Sequence, residues 1–343
     1  MAVTWRAFAG WFGGGAAAIL SGYLLLAFLV DPYDSGRSPV STGVGVRPQG
    51  PRTAVASRGR DTAFAGAVIG NSHIQLVSPE RLGEATGIPF VQLSVPATSP
   101  AEQFAILAWY LRHHPQPEAI VIAPDEYWCT DDPALPNPKS FPFWLLSDSA
   151  TAYLRGLLRF SVAQEVVNRL GRALARDPAR APPDGWSDYE PEYLGLAAGD
   201  ARQAAAQEAQ RDTPAPQTPD PGRAGPGFPA AERFAHLAGG LPARTALVVV
   251  FPPIAPAALA RPGTARHAAE AACKAAVAAA ARVHPRTAVL DWRRPRPDLD
   301  DPSQFFDAGH YRHPVARRLA DAVGAEIRRL VARKEGGGPP AQP

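Results

Sequence analysis

Five short apolar runs, at residues 64–69, 90–93, 119–123, 246–251 and 287–290, constrain the fold of this chain more than any other feature. Each is short and bounded by turn residues, as is typical of strands buried on both faces. Segments with helical spacing or helix-start signals lie between them. Strands that alternate with helices predict an α/β fold, a three-layer sandwich with a central, mostly parallel five-stranded sheet.

The helices are predicted from their start signals and their apolar spacing. Ser78 before Pro79 reads as an N-cap, and Ser99 with Glu102 forms a capping box. Further helices are expected over 150–176, about 265–282 and about 315–330. The first of these three carries an apolar stripe made of Leu154, Leu157, Leu158, Val162, Val166 and Leu170.

Residues 8–30 contain no charged side chain and are about as long as a bilayer-spanning helix requires, roughly 20 residues. The end of this segment is bulky and is followed directly by Asp31, which favours an uncleaved membrane anchor over a cleaved signal peptide. Arg6 precedes the segment, whereas Asp31 and Asp34 follow it. This bias predicts that the amino terminus is cytoplasmic and that most of the chain lies on the other side.

These patterns divide the chain into four parts. Residues 1–34 are the predicted transmembrane anchor, and residues 35–60, rich in Gly, Pro, Ser and Arg, are expected to be a linker. The α/β domain is expected over 61–334, with an insertion at about 131–240 that is rich in Ala, Pro, Gln and Asp. Residues 335–343 are expected to be a disordered tail.

Charge and cysteine content narrow the possible partners. The net charge is +3 and the basic residues are scattered, so no nucleic-acid partner is expected. Cys129 and Cys273 lie far apart and belong to no Cys/His cluster, so no zinc site is predicted. Two interpretations of these cysteines stay open: a disulfide in an oxidising compartment, or two small buried apolar side chains.

Ser72 follows the first predicted strand, in the sequence Gly70-Asn71-Ser72-His73. The carboxyl edge of an open α/β sheet is where ligands bind, so Ser72 is a candidate nucleophile. A serine needs a histidine as base and a carboxylate to orient that histidine. Asp307 and His310, three residues apart before the last predicted helix, are the candidates for these two roles.

The order of these motifs resembles the SGNH (GDSL-type) esterase family. Gly70-Asn71-Ser72 matches the first block of the family, and Asp307-Ala308-Gly309-His310 matches its last block. The chain is also similar to membrane-anchored bacterial members of this family, which have a single span followed by Asp-Pro-Tyr, here Asp31-Pro32-Tyr33, and then by G-x-S-H. Some of those members act in O-acetylation or D-alanylation of surface polymers, like the alginate acetylation proteins. The resemblance covers about 62–130 and 245–330.

The resemblance implies a flavodoxin-like SGNH fold and a serine esterase or O-acyltransferase that needs no cofactor. It implies acyl, especially acetyl, esters of cell-envelope glycans as substrates and a membrane-bound acyltransferase as a possible partner. The location it implies is the bacterial inner membrane, crossed once, with the main domain extracytoplasmic.

The chain departs from the family pattern around the expected oxyanion site. Asn71 replaces the usual Asp, and residues 92–97 lack the glycine whose N–H helps to hold the oxyanion, which leaves Ser94 or Ala97 as candidate donors. Asp125 follows the third strand where the family has an Asn, and a carboxylate there would repel an oxyanion. These departures favour an alternative function, a catalytically inactive SGNH-like glycan-binding or assembly module that partners a membrane acyltransferase.

Two further histidines lie near the candidate triad. His73 is expected to line the site rather than to act as the base, because adjacent side chains on a turn diverge. His313 forms a His-x-x-His pair with His310, but no third ligand is evident, so no metal site is predicted.

Overall fold

The computed structural model of the protein describes residues 4–40, 50–130, 132–134, 140–174, 182–191 and 227–332. The chain forms two compact units. The first comprises Met1–Arg60 with Pro142–Ala181, and the second comprises Asp61–Phe141 with Pro182–Pro343. The tail expected at 335–343 lies outside the described residues. Residues 192–226, which make up the greater part of the Ala/Pro/Gln-rich stretch, lie outside them as well.

The second unit is built on an all-parallel five-stranded sheet. Its strands are β1 (Gly66–Ile69), β2 (Phe90–Gln92), β3 (Ala119–Ile122), β4 (Ala246–Phe251) and β5 (Thr287–Asp291), in the order β2-β1-β3-β4-β5. The α/β class and the five strands predicted from the sequence are thus confirmed. The direction in which strands are added reverses beside β1, which makes the edge between β1 and β3 a topological switch point.

Both faces of this sheet are buried. Val68, Val121 and Val248 belong to one core cluster, which also contains apolar side chains of the last helix. The alternate residues Ile69, Ile120 and Val249 point to the opposite face and are equally inaccessible. The continuous apolar runs in the sequence therefore reflect burial on two sides.

The helices follow in chain order, and several begin where their start signals place them. Ser78 accepts a hydrogen bond from Arg81 N, and Glu102 accepts from both the N–H and the hydroxyl of Ser99. The helices are α1 (Trp5–Val30), α2 (Pro51–Gly59), α3 (Pro79–Thr86), α4 (Pro100–His113), α5 (Tyr127–Thr130), α6 (Phe143–Leu146), α7 (Ala150–Leu157), α8 (Phe160–Ala173), α9 (Pro229–Gly239), α10 (Ala265–Ala281) and α11 (His313–Ala332).

Helix α1 is long and apolar enough to cross a membrane. Its side chains are exposed from residue 5 to residue 22, and Ala27 and Val30 are the buried ones near its end. Beyond the helix, the carboxylate of Asp31 accepts from the N–H groups of Ser35 and Gly36. The end of α1 is therefore part of a folded unit.

The stretch expected to be a linker, residues 35–60, contains α2. Pro51 occupies the first turn of this helix, where a missing N–H is harmless. Asp34 accepts hydrogen bonds from Ser57 and Arg60, which attach α2 to the segment that follows α1. The described part of this stretch is thus folded. The sequence feature that could have predicted α2 is Pro51 after Gly50, since proline is favoured in the first turn of a helix.

The single helix expected over 150–176 is instead two helices, α7 and α8, separated at Leu158 and Arg159. The last carbonyls of a helix have no partner within it, and here the carbonyl of Leu157 accepts from the hydroxyl of Tyr23 on α1 at 2.7 Å. The break thus lets the end of α7 bond to α1. Both helices belong to the unit that contains α1 rather than to an insertion within the α/β unit.

Cys129 in α5 and Cys273 in α10 form a disulfide across 144 residues of sequence. This settles the alternative that the sequence left open. The bond joins the segment after β3 to the helix between β4 and β5, so it connects the two parts of the sheet that lie on either side of the long intervening sequence.

Candidate active site

Ser72 begins a short 3₁₀ turn, Ser72–Ile74, directly after β1. Gly70 is required here by space, since a Cβ at this position would lie 2.8 Å from Ile74 Cγ2 and 3.0 Å from Ala123 Cβ. Its backbone is not in the left-handed region. The chain therefore turns tightly at the sheet edge and presents Ser72 at the carboxyl end of β1.

Hydrogen bonds of Asn71 and Asp125 hold this turn in place. Asn71 Oδ1 accepts from His73 N at 3.0 Å, and its Nδ2 donates to Asp125 Oδ2. Asp125 Oδ1 in turn accepts from Tyr127 N at 2.9 Å, and Asn71 and Asp125 are both almost fully buried. The Asp125 carboxylate, expected to line the pocket, thus ties the end of β3 to the turn that carries Ser72.

Ser72, His310 and Asp307 form one hydrogen-bonded chain. His310 Nε2 lies 2.8 Å from Ser72 Oγ, although the two residues are 238 positions apart. His310 Nδ1 lies 2.9 Å from each oxygen of Asp307. The three side chains are brought together because the loop after β1 and the loop between β5 and α11 meet at the same edge of the sheet.

Asp307 is held as a carboxylate. Its Oδ1 also accepts from the backbone N–H groups of Gly309 and His310, at 2.8 and 2.9 Å. Burial alone would raise the pKa of Asp307, but the hydrogen bond from the His310 side chain and these two N–H groups outweigh it, so the pKa lies below its usual value. The carboxylate can therefore fix the ring orientation and stabilise an imidazolium.

His73 lies against the ring of His310, edge to face, with centroids 5.1 Å apart. Burial lowers the pKa of His73 to about 4, so its imidazole is neutral at pH 7. Its Nδ1 is shielded from solvent and has no hydrogen-bond partner among the residues described. Gly309 makes room for this ring, since a Cβ there would lie 2.9 Å from His73 Nε2.

Glu126 and Arg293 form an ion pair beside these histidines, 3.4 Å between Oε2 and Nη1. Burial raises the pKa of Glu126, but the charges of Arg293 and, to a smaller extent, His73 lower it by more than burial raises it. The pKa of Glu126 therefore lies below its usual value. Arg293 is itself almost fully buried. No motif points to either residue, although each follows a predicted strand on the active edge and could have been found by that criterion.

Residues 182–191, expected within the insertion, lie beside the candidate active site. The carbonyl of Asp184 accepts from Gln92 N at 2.6 Å, which places the segment beside the end of β2. The hydroxyl of Tyr189 donates to the carbonyl of Ser72 at 3.3 Å, and its ring stands edge-on to His310. Sequence patterns gave no sign of this segment, which lies among Pro- and Asp-rich residues without apolar periodicity.

His313 is engaged by carboxylates of the same segment. Its Nε2 lies 2.9 Å from Asp188 Oδ1, and its backbone N–H donates to Glu190 Oε2 at 2.6 Å. Trp186 stands beside it and helps to line a cavity of about 400 Å³ together with residues of α3 and α11. Among the described residues no group of three His, Cys, Asp or Glu side chains could hold a metal ion.

The loop after β2 contains the candidate oxyanion donors. Val95 N donates to the carbonyl of Gly70 at 3.0 Å, so this loop lies next to the Ser72 turn. The N–H of Ser94 is engaged internally, by Gln92 Oε1 at 3.1 Å, and its hydroxyl is buried. Ala97 has a φ of 55°, a left-handed conformation that favours glycine and that strains an alanine.

Comparison with protein-family models, with curated proteins and with solved structures gave no match for this chain. The interpretation of the site therefore depends on its own geometry.

Proposed function

We propose that this protein is a membrane-anchored serine esterase or O-acyltransferase of the SGNH type, which acts on acyl esters, especially acetyl esters, of cell-envelope glycans. One observation carries the proposal. His310 lies within hydrogen-bond distance of both Ser72 Oγ and the Asp307 carboxylate, which is the arrangement that activates a serine.

The chemistry follows from these three residues. Ser72 Oγ attacks the carbonyl carbon of the ester while His310 Nε2 takes the hydroxyl proton, and Asp307 stabilises the imidazolium that forms. The tetrahedral intermediate collapses, the alcohol leaves with the proton from His310, and the acyl group remains on Ser72. Water or an acceptor hydroxyl then gives its proton to His310 and attacks the acyl carbon. The bond between that carbon and Ser72 Oγ breaks, His310 returns the proton to Ser72, and the acid or the new ester is released.

The neutral state of His73 supports this mechanism. A second imidazolium at 5.1 Å would disfavour protonation of His310 during the attack. Because burial keeps the pKa of His73 near 4, His310 can take the proton from Ser72 without that repulsion. The carboxylate of Glu126, which lies close to both rings, adds a favourable negative charge.

The fold supports the SGNH type. The strand order β2-β1-β3-β4-β5 corresponds to the flavodoxin-like doubly wound order, in which ligands bind at the β1/β3 switch point. Ser72 lies at that point. The chain order of the triad, serine first, then aspartate and histidine three residues apart near the end, agrees with the first and last blocks of the family.

Two features support a location outside the cytoplasm on a membrane. The end of α1 is bonded and packed within its unit through Tyr23 and Asp31, as expected for a retained anchor and not for a cleaved signal. The disulfide between Cys129 and Cys273 is of the kind that forms in oxidising compartments. Together they favour a single-pass protein of the bacterial inner membrane whose α/β unit is extracytoplasmic.

Labelling with a fluorophosphonate probe tests the enzymatic function. The full chain in detergent should react, and Ser72→Ala should abolish the labelling. Ser303→Ala, which removes an exposed serine of the same unit, should label like the wild type. Equal labelling of the wild type and Ser72→Ala would overturn the proposal.

A second candidate function, an inactive glycan-binding or assembly module that partners a membrane acyltransferase, is favoured by the loop after β2. The Ser94 N–H that could hold an oxyanion already donates to Gln92. A module of this kind would bind envelope glycan equally well with Ser72 or Ala at position 72, and would hydrolyse no small acetyl ester. Ester hydrolysis that is lost in Ser72→Ala would exclude it.

A further inference from the structure

Only part of the apolar stripe of α7 and α8 is buried. Leu157, Val162 and Val166 are buried within the unit that contains α1. Three other members of the stripe, Leu154, Leu158 and Leu170, are exposed. Three further apolar side chains are even more exposed, namely Phe160 at 79 %, Val167 at 69 % and Leu174 at 66 %.

The most exposed apolar side chains of α8 and of Leu174, the residue directly after it, share one side. Phe160, Val167 and Leu174 recur every seven residues, close to two helical turns, with the exposed Gln164 between the first two. Val162 and Arg169 lie on the opposite side and are buried. A surface helix of a water-soluble domain has a polar outer face, whereas the outer face of α8 carries large apolar side chains beside the polar Ser161 and Gln164.

The position of these helices along α1 indicates what covers that face. The hydroxyl of Tyr153 lies 3.4 Å from Asp31, just beyond the end of α1, and Leu157 O bonds to Tyr23, about two turns earlier. Helix α7 therefore runs back along α1. The α7–α8 corner, residues 157–160, lies beside Tyr23.

The exposure of α1 is continuous up to this corner, and Leu25 and Leu26 just beyond it are exposed as well. Residues 5–22 are exposed throughout. At about 1.5 Å per residue they are about 27 Å long, close to the roughly 30 Å of a bilayer's hydrocarbon core. If these residues span the bilayer, Tyr23 lies at its boundary, where tyrosine is enriched. The apolar corner beside Tyr23 then continues the lipid-facing surface of α1.

Charge at the corner fits the same surroundings. Arg155 and Arg159 are exposed and flank Leu158 and Phe160. An apolar helical face with arginines at its border is the pattern of helices that lie in the interface of membranes with anionic lipids.

We propose that the α7–α8 corner and the outer face of α8 lie in the headgroup region of the bilayer that α1 crosses, with phospholipid as their occupant. This inference relies on the anchoring part of the proposed function and is independent of the triad. The anchor is then more than one helix: α1 crosses the membrane, α7 runs along the end of α1, and the corner and the outer face of α8 contact the membrane surface.

Site-specific quenching in vesicles tests this proposal. Single cysteines at Ile19, Phe160, Val167 and Thr151 are labelled with an environment-sensitive fluorophore, and the native cysteines do not react because they form the disulfide. The full chain is reconstituted in vesicles of phosphatidylethanolamine and phosphatidylglycerol that carry nitroxide lipids. Thr151 is the matched control, since it is exposed on α7 but about 10 Å further from the corner.

Labels at 19, 160 and 167 should be quenched at least threefold more than the label at 151. Quenching at 19 but not at 160 and 167 would overturn the inference and leave the anchor intact, whereas no quenching at 19 would refute the anchor itself. Because a fluorophore can draw a site into lipid, the unlabelled cysteines are also reacted with a charged maleimide. Reaction at 160 should be about tenfold slower than at 151. Slow reaction without lipid quenching would show that protein, such as a second copy, covers the face, which would also overturn the inference.

Discussion

At the residue scale, Asp307 is the most firmly held member of the candidate triad. It accepts from two backbone N–H groups as well as from His310, so its carboxylate is fixed by the loop before any substrate binds. An orienting group of this kind determines which nitrogen of the imidazole carries the proton. The serine can be activated only when Nε2 is the nitrogen without a proton.

Replacing Asp307 with Asn should retain the fold and reduce activity by roughly a thousandfold or more, because an amide favours the wrong tautomer of His310. The measurement is the rate of hydrolysis of a small acetyl ester by the full chain in detergent. Asp321→Asn is the matched control, since Asp321 pairs with Arg81 on the surface of the same unit. A loss of less than tenfold in Asp307→Asn would contradict the assigned role.

His73 should make the protein less stable in acid. Its pKa is about 4 in the folded chain, against an ordinary value of 6.5. Above pH 6.5 both states carry the neutral ring, whereas between 6.5 and 4 the unfolded chain takes up a proton that the folded chain does not. The free energy of unfolding should therefore decrease as the pH is lowered from 6.5 to 4, by about 3 kcal/mol in total.

Urea unfolding of the full chain in detergent at several pH values measures this loss. His73→Gln should flatten the dependence between pH 6.5 and 4, and His267→Gln, which replaces an exposed histidine, should retain it. An identical slope in wild type and His73→Gln would show that His73 is accessible to protons in the folded state.

At the residue scale, sequence patterns singled out side chains that the structure brings within hydrogen-bond distance of one another, where residue type and position agree. Ser72 and His310 have side chains suited to catalysis and lie next to predicted strand or helix ends. Arg293 follows a predicted strand but belongs to no motif, and Tyr189 lies in a stretch without apolar periodicity, so neither was singled out; their contacts come from distant parts of the sequence. The candidate oxyanion donors at Ser94 and Ala97 are backbone N–H groups, which every residue has, so residue type does not distinguish them from their neighbours.

At the scale of elements, close packing in the first unit depends on one glycine. Gly156 of α7 faces the ring of Trp144, and a Cβ there would overlap the ring. Gly171 of α8 has nothing within 4 Å of the corresponding position. The two glycines lie in neighbouring helices of the same unit but in opposite environments.

Gly156→Ala should destabilise the first unit by roughly 1–3 kcal/mol, because Trp144 or α7 must move. Gly171→Ala should stabilise it by roughly 0.5–1 kcal/mol, since alanine restricts the unfolded chain and costs no contact. Both effects are measured by heating the full chain and monitoring unfolding by protease cleavage within residues 142–174. Equal effects of the two substitutions would show that α6 and α7 do not pack as described.

The strands and capped helices were predictable because apolar runs, Pro at the first turn and the Ser99–Glu102 pair are local signals. The break between α7 and α8 was not, since it is stabilised by a bond to Tyr23, which is 134 residues away from Leu157 in the sequence. An apolar stripe shows that a helix face avoids water. It does not show whether protein or lipid covers that face.

At the scale of the whole molecule, the division into units was hidden by the order of the sequence. Residues 142–174 look like part of an insertion in the α/β unit, yet they belong with α1. Apolar periodicity gives no information about which distant segment a helix contacts. The fold class was predictable because the alternation of strands and helices persists on both sides of that segment.

The disulfide should contribute strongly to the stability of the second unit. It closes a loop of 144 residues, and loop entropy gives a contribution of about 3–5 kcal/mol for a loop of this length. The double variant Cys129→Ser and Cys273→Ser should melt at a lower temperature than the oxidised wild type. Reductant should lower the melting temperature of the wild type and leave that of the double variant unchanged.

The bond between Asn71 and Asp125 has a consequence for the time course of the proposed reaction. It fastens the bend before the nucleophile to the adjacent strand, so no slow rearrangement is needed to bring the hydroxyl into line. Progress curves started by mixing with ester should rise without a lag. Severing this clamp with Asn71→Ala should slow acylation even though every group that exchanges a proton is still present.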